Sequence, residues 1–442
     1  MYFINVKMCK KMYREKYNSL IKWKISNDRK PLILYGARQV GKTYLLQRFG
    51  KSEYRQMVYI NFERAEELRT IFMYDLDPKR LISVFEFYSG VRIVPEDTLI
   101  VLDEIQAANR GITSLKYFCE EAPEYHIVAA GSLLGINIHS GESFPVGKVD
   151  VLTLFPMSFY EFLMAMGEEN GLARIINEKR FDIINSFAEK FKEYLKYYFY
   201  VGGMPEAVAA FADNRDWKKS RAIQNRILIN YRSDFSKHAP KAILPRINMV
   251  WDSIPAQLAK ENKKFIYGLI KEGARAKEFE LAIQWLTDCG LLHKINAVTK
   301  VATPLVAYQD FSAFKLYHND IGLLGAMSNL KIKTLVEGNK LFEEFKGALT
   351  EQFAFQQLLF NEEFAIHYFP FDNGRYELDF IIENVDGDLI PLEVKAGENI
   401  QAPSFKIYCQ RNTPKIAIKT SLTNYKEESW MTNLPLYALN AL

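Results

Sequence analysis

The chain has 442 residues, 48% of them hydrophobic and 25% charged, and its 57 basic and 53 acidic side chains leave a net charge of +4. That length implies two or three domains, and 31 Phe with 25 Tyr argue against long disordered segments. Near-balanced charge does not by itself announce a nucleic-acid partner, and no apolar run approaches the ~18 residues of a membrane span. Cys9, Cys119, Cys289 and Cys409 have the spacing of neither a zinc site nor a disulfide framework. Residues 1–30 lack the sustained apolar core and cleavage site of a secretion signal. The expectation is a cytoplasmic protein in a reducing compartment, with no membrane partner.

In chain order, Leu32 to Tyr35 predicts a short buried strand. It is followed by G-x-x-x-x-G-K-T as Gly36-Ala37-Arg38-Gln39-Val40-Gly41-Lys42-Thr43, and Tyr44 to Phe49 reads as an amphipathic helix. A strand feeding a glycine-rich turn into a helix aims backbone N–H groups and the positive helix end at one point. A triphosphate is the natural occupant. Gly36 through Tyr44 are therefore candidate ATP-binding residues, with Lys42 on the β/γ-phosphates and Thr43 on a magnesium ion.

Val58 to Asn61 is a second candidate strand, and Thr98 opens another whose four apolar residues, Leu99 to Leu102, form a continuous run suited to burial on both faces. It ends in Asp103-Glu104, where ligands of a parallel sheet bind. Asp103 would organise the magnesium ion, and Glu104 would orient and polarise the attacking water. Tyr125 to Ala130 predicts a further strand ending in Gly131-Ser132. Ser132 either contacts the terminal phosphate or, with Gly131, merely breaks the strand. The alternation of strands and helices specifies a parallel α/β sheet.

Residues 157–240 have helical periodicity interrupted by Gly202-Gly203-Met204-Pro205. From Arg215 to Arg246 there are nine basic and two acidic residues, which either contact phosphates or form a solvated or internally paired helix face. Residues 262–310 suggest a winged helix-turn-helix. Phe265 to Ile270 begins one helix and Ala276 to Asp288 forms a second, followed by a stop and strand at Gly290 to Ile295. Phe279, Ile283 and Leu286 would be its apolar stripe, with Lys277 and Gln284 on the polar face. Such a module either reads DNA or serves only for packing.

The second chemical constellation lies between residues 347 and 395. Arg375 to Ile382 predicts a strand, Asp386-Gly387-Asp388 a hairpin turn, and Leu389 to Lys395 the returning strand. Alternation puts Glu393 and Lys395 on one face, where Asp379 could join them from the neighbouring strand. Two carboxylates make a hard oxygen site for magnesium, and the lysine could orient water. A solvated cross-strand ion pair would use the same residue types.

The chain resembles a prokaryotic family of AAA-type P-loop ATPases with an uncharacterised C-terminal module. The resemblance rests on the Gly36–Thr43 run, Leu102-Asp103-Glu104-Ile105-Gln106, Gly131-Ser132, Leu154 to Phe162, Gly202 to Glu206, and Lys315 to Leu324. It implies an extension at 1–11, an ATPase domain at 12–165, a helical lid or linker at 166–245, a winged-helix-like segment at 246–310 and a restriction-endonuclease-like α/β domain at 311–442. Asp379, Glu393 and Lys395 resemble that fold's active-site signature, with Glu351 matching its frequent additional helix acid. Gly147-Lys148 stands where family members often have Gly-Arg, and lysine is a poorer, non-bidentate cation there.

The resemblance implies an ATPase using ATP and magnesium, with DNA and further copies of the chain as candidate partners. The competing implication is a nucleotide-gated switch whose nuclease-like domain is inactive and only grips a partner.

Overall fold

In the computed structural model, which describes residues 12–131, 144–260, 263–337, 343–397 and 401–442, the chain divides into two units. One comprises Arg14–Phe155 with Asp288–Leu291, and the other contains the remaining residues. No helix among the described residues is long and apolar enough to cross a membrane.

The first unit is built on β1 (Leu32–Tyr35), β2 (Gln56–Asn61), β3 (Thr98–Asp103), β4 (His126–Ala130) and β5 (Asp150–Thr153). Their order is β2-β3-β4-β1-β5 and every pairing is parallel. All six residues of β3 are buried, as a strand covered on both faces requires. Ile33, Val58, Ile60, Ile100 and Leu102 join Phe62, Phe72, Phe85, Leu115 and Phe118 in one core. Leu45, Leu46 and Phe49 are the buried stripe of the helix Lys42–Glu53, which follows the glycine-rich loop. β5 has no counterpart among the predicted strands, because its Asp-Val-Leu-Thr run is only partly buried and carries little pattern. β4 lies between β1 and β3, so the loop and Asp103 emerge from strands one place apart.

The second unit begins with helices Phe159–Ala165, Leu172–Asn177, Phe181–Ser186, Ala188–Val201, Pro205–Asn214, Trp217–His238 and Leu244–Leu258. The glycine break before Pro205 is a close approach of backbones. A Cβ on Gly203 would lie 2.1 Å from the Met157 carbonyl oxygen, and one on Gly202, at φ +70°, would lie 2.3 Å from Asp320 Oδ1. Several arginines of the basic stretch are used internally. Arg215 stacks on Tyr194, Tyr197 and Phe211, and Arg221 lies over Tyr200 and donates to the Gly322 and Leu330 carbonyls. Arg226 pairs with Glu206, and Arg232 with Asp252.

The helix expected at Phe265–Ile270 is a correction. Only a 3₁₀ turn, Tyr267–Leu269, forms there, because Ile266 is held extended, at φ −117° and ψ 109°, by Gln257, which accepts from its N–H at 2.9 Å and donates to its carbonyl at 2.8 Å. Ala276–Asp288 is helical, with Phe279, Ile283 and Leu286 buried and Lys277 and Gln284 exposed.

A mixed sheet follows, made of β6 (Leu292–Val298), β7 (Gln309–His318), β8 (Ala365–Phe371), β9 (Tyr376–Glu383), β10 (Leu389–Val394), β11 (Ile418–Ser421), β12 (Lys426–Glu427) and β13 (Thr432–Pro435). Its order is β12-β13-β11-β10-β9-β8-β6-β7. β7 runs through residue 310 and pairs with β6 on both sides of it, so the segment expected to be a separate winged module shares a sheet with the C-terminal strands. The helix Glu343–Leu358 stacks Phe355 on Tyr317, while Pro403–Asn412 packs Phe405 and Tyr408 against Leu378.

Polar side chains tie the helical part of this unit to its sheet. Gln352 exchanges hydrogen bonds with the His318 backbone at 2.9 and 2.7 Å, and Gln357 accepts from the Phe159 N–H at 2.8 Å. Asp320 accepts from the Gly203 N–H at 2.6 Å and caps the helix Ile321–Met327 through the Leu323 N–H at 2.9 Å. Removing a cap and orphaning a buried N–H together cost about 2–4 kcal/mol, the loss of stability expected for Asp320→Ala in chemical denaturation.

Burial pushes the Asp320 carboxyl up to about 6, above its usual 3.8. The native chain therefore holds a proton that the unfolded chain releases, so this group's contribution to stability falls as pH rises from 3.8 toward 6. Asp320→Asn is expected to remove that slope, read from denaturation midpoints at pH 4.5 and 7.

Candidate nucleotide and phosphodiester sites

The loop between β1 and its helix has the backbone of an anion cradle. Gly36, Gln39 and Gly41 have φ of +148°, +68° and +96°, which turns successive N–H groups inward. Gly36 is also sterically required, since a Cβ there would sit 2.3 Å from the Leu154 carbonyl oxygen. Ala37 and Val40 are buried, Arg38 lies 3.9 Å from Glu63, and Tyr44 is exposed on the first helical turn. Arg14 is buried and donates to the Val40 carbonyl at 2.6 Å and to that of Phe155. It braces the loop from outside the motif.

Lys42 donates to the carbonyls of Gly36 at 2.7 Å and Ala37 at 2.9 Å. Burial pulls its pKa down to about 8 against the opposing pull of Glu104 and Asp103. A bound polyphosphate would restore full charge. The Thr43 hydroxyl donates to Asp103 Oδ2 at 2.9 Å, and Asp103 Oδ1 accepts from the Glu104 N–H at 3.1 Å. Loop and second acidic strand are thus brought together as expected, and a hydroxyl beside a carboxylate suits an oxygen-seeking magnesium ion.

Glu104 has left-handed backbone angles, φ +51° and ψ +44°, and its Oε2 accepts from Gln106 Nε2 at 2.5 Å. Lys148, on the segment where the resemblance expects arginine, pairs with Glu120 at 2.9 Å. Ser132 lies outside the described residues.

Tyr59 was not among the expected site residues. Its hydroxyl donates to Asp103 Oδ2 at 2.5 Å, so one carboxylate oxygen receives both Thr43 and Tyr59. Burial, followed by the bond to Asp103, raises the phenol to about 12. In sequence Tyr59 reads as strand filler between Val58 and Ile60. The available signal was that a half-buried phenol needs a partner.

In the second unit, Lys395 pairs with Glu393 Oε1 at 2.7 Å, and Asp379 Oδ2 accepts from the Val394 N–H at 2.8 Å. Glu393 Oε2 is buried with no hydrogen-bond partner among the described residues. Burial and the adjacent Asp379 raise Glu393 to about 8, and burial followed by Glu351 raises Asp379. An orphaned buried oxygen beside a second carboxylate is the environment a divalent cation would relieve, so Asp379 and Glu393 fit magnesium. Among the described residues, however, no group of three or more His, Cys, Asp or Glu side chains is placed to hold a metal.

Glu351 is accordingly occupied otherwise. It pairs with Lys263 and, at 3.1 Å, with Lys315, and accepts from the Tyr317 hydroxyl. Burial opposes its ionisation, but the two lysines bring its pKa down to about 2. Lys315 reaches Glu377 at 2.7 Å and lies over the Tyr368 ring.

Residues 28–163 match the family described as AAA domain. Residues 192–334 and 346–439 each match a family described as a domain of unknown function, DUF8612 and DUF4143 respectively. No curated protein matches the sequence. A Walker-type ATPase of Pyrococcus abyssi is 15% identical over 72% of this chain and 96% of its own, with a TM-score of 0.44. The Aeropyrum pernix ORC1 protein, solved in complex with DNA, is 15% identical over 71% of this chain and 90% of its own, with a TM-score of 0.27. The ADP form of the Aeropyrum pernix ORC2 protein is 12% identical over 76% and 98%, with a TM-score of 0.33. The matched family and the parallel sheet make the first unit an AAA-type P-loop domain.

Tyr59→Phe removes one of two hydroxyl donors to a buried carboxylate oxygen. The expected cost is about 1.5–3 kcal/mol of stability by denaturant titration, the range for hydrogen bonds to charged groups.

Proposed function

We propose that the protein hydrolyses ATP with magnesium and couples this to nucleic-acid binding or processing by its second unit. The ATP reading is carried by the convergence of Lys42, Thr43 and Asp103 beneath the left-handed loop. Backbone N–H groups from Gly36 to Gly41 would cradle the phosphates, and Lys42 would neutralise the β/γ-oxygens. Thr43 and Asp103 would hold magnesium, which supplies charge neutralisation on the transferred phosphoryl group. Glu104 would orient the attacking water once its carboxylate turns from Gln106. Assembly into a homo-oligomer and a cytoplasmic location belong to the same proposal.

Glu104→Gln is expected to lower ATP turnover by at least ~100-fold while retaining binding of a fluorescent ATP analogue. Turnover equal to wild type would remove Glu104 from the chemistry. Absence of turnover in the wild type would reduce the first unit to a nucleotide binder.

For the second unit, the succession of helix Glu343–Leu358, β8, β9, β10, helix Pro403–Asn412 and β11 supports a restriction-endonuclease-like reading. In it, Asp379 and Glu393 would hold magnesium and Lys395 would orient water for phosphodiester cleavage. The closed Lys395–Glu393 pair favours the second reading, in which this unit only grips a partner in a nucleotide-dependent way. Asp379→Ala is expected to abolish magnesium-dependent DNA cleavage and leave ATP turnover unchanged. If wild type cleaves neither single- nor double-stranded DNA or RNA, gripping is the remaining role.

A further inference from the structure

Asp103 closes β3 with its side chain buried and surrounded by donors. A carboxylate offers roughly four acceptor positions, two on each oxygen. Thr43 at 2.9 Å and Tyr59 at 2.5 Å take both positions on Oδ2, and the Glu104 N–H at 3.1 Å takes one on Oδ1. Among the described residues, one position on Oδ1 is left.

The three donors differ in what else they do. The Glu104 N–H is the next backbone group along the chain, and Thr43 is the hydroxyl that the nucleotide reading assigns to magnesium. Tyr59 reaches Asp103 from a neighbouring strand and has no part in that reading. It stands in register with Val101, two residues short of Asp103 along the parallel β2–β3 pair. That offset is roughly 7 Å, a gap that the length of a tyrosine spans and a serine or asparagine would not.

Asn61 lies nearer, in register with Asp103 itself, but its Oδ1 accepts from the Glu63 and Arg64 N–H groups at 3.1 Å each. Toward the phenol oxygen of Tyr59 it acts as a donor. A hydroxyl that accepts from one side is turned to donate on the other, which directs the Tyr59 proton at Asp103.

We propose that Tyr59 is a positioning residue for the magnesium ion of a bound nucleotide. It fixes the plane of the Asp103 carboxylate, so the position left on Oδ1 is presented to the metal or one of its waters without rotation. With Thr43 alone on Oδ2, the carboxylate would turn about its Cβ–Cγ bond and offer that position only part of the time. The inference rests on the ATP-and-magnesium reading of the first unit.

The test is a magnesium titration of fluorescent ATP-analogue binding to the full-length protein, with the analogue's affinity in EDTA measured alongside. Tyr59→Phe is expected to raise the magnesium midpoint by about tenfold or more, the usual cost of removing a metal ligand's own partner, and to leave the EDTA affinity within about twofold. In an Asp103→Asn background, Tyr59→Phe is expected to shift the midpoint no further, because it acts only through that carboxylate.

An unchanged or lowered midpoint, an equal loss of affinity in EDTA, or the same shift in the Asp103→Asn background would overturn the proposal in favour of a packing role. A wild type that binds no analogue in either condition would overturn the ATP reading itself, and this inference with it.

Discussion

Lys315 lies in the interior of the second unit with its ammonium between the carboxylates of Glu351 and Glu377. Burial works to lower its pKa, but Glu351, Glu377 and Asp379 outweigh that and raise it. The lysine therefore stays charged, and a buried charge must keep its partners. Those partners sit on different elements: Glu351 on the helix Glu343–Leu358 and Glu377 on β9, with Lys315 itself on β7. One ammonium thus fixes the helix against two strands that are not neighbours in the sheet. Glu351 is thereby committed to Lys315, Lys263 and Tyr317, whereas the neighbouring Asp379 and Glu393 keep raised pKa values.

The nucleotide unit applies the same rule on a smaller scale. Asp103 ends a fully buried strand, and its carboxylate is satisfied by Thr43, Tyr59 and a backbone N–H. Lys42 is held by two loop carbonyls. The loop is therefore pre-shaped by its own hydrogen bonds, and an incoming phosphate meets oriented donors.

What the sequence revealed followed from how local each signal was. β1 to β4 were legible because each is a continuous apolar run tied to a motif or a turn. β5 was not, being four residues with partial exposure. Phe265, Ile266, Leu269 and Ile270 imitate a helical stripe, yet Gln257 holds the Ile266 backbone extended from the preceding helix. The glycine-rich run was legible from its spacing, Asp103 from its place at the end of an apolar strand, and the shared face of Glu393 and Lys395 from strand alternation after a hairpin turn. Tyr59, Arg14, Lys263 and Lys315 were not, since each acts on a partner distant in sequence. Their types merely permitted the role, and only the fold brought the partners together.

The continuity of β7 through residue 310 bears on how this architecture could be cut or recombined. A fragment beginning at 311 would lose β6 and the first residues of β7, leaving unpaired backbone along β8 and the rest of β7. Open strand edges of that kind invite pairing with other chains. Moving the strands beyond residue 310 alone onto another scaffold would therefore deliver an open, aggregation-prone half-sheet.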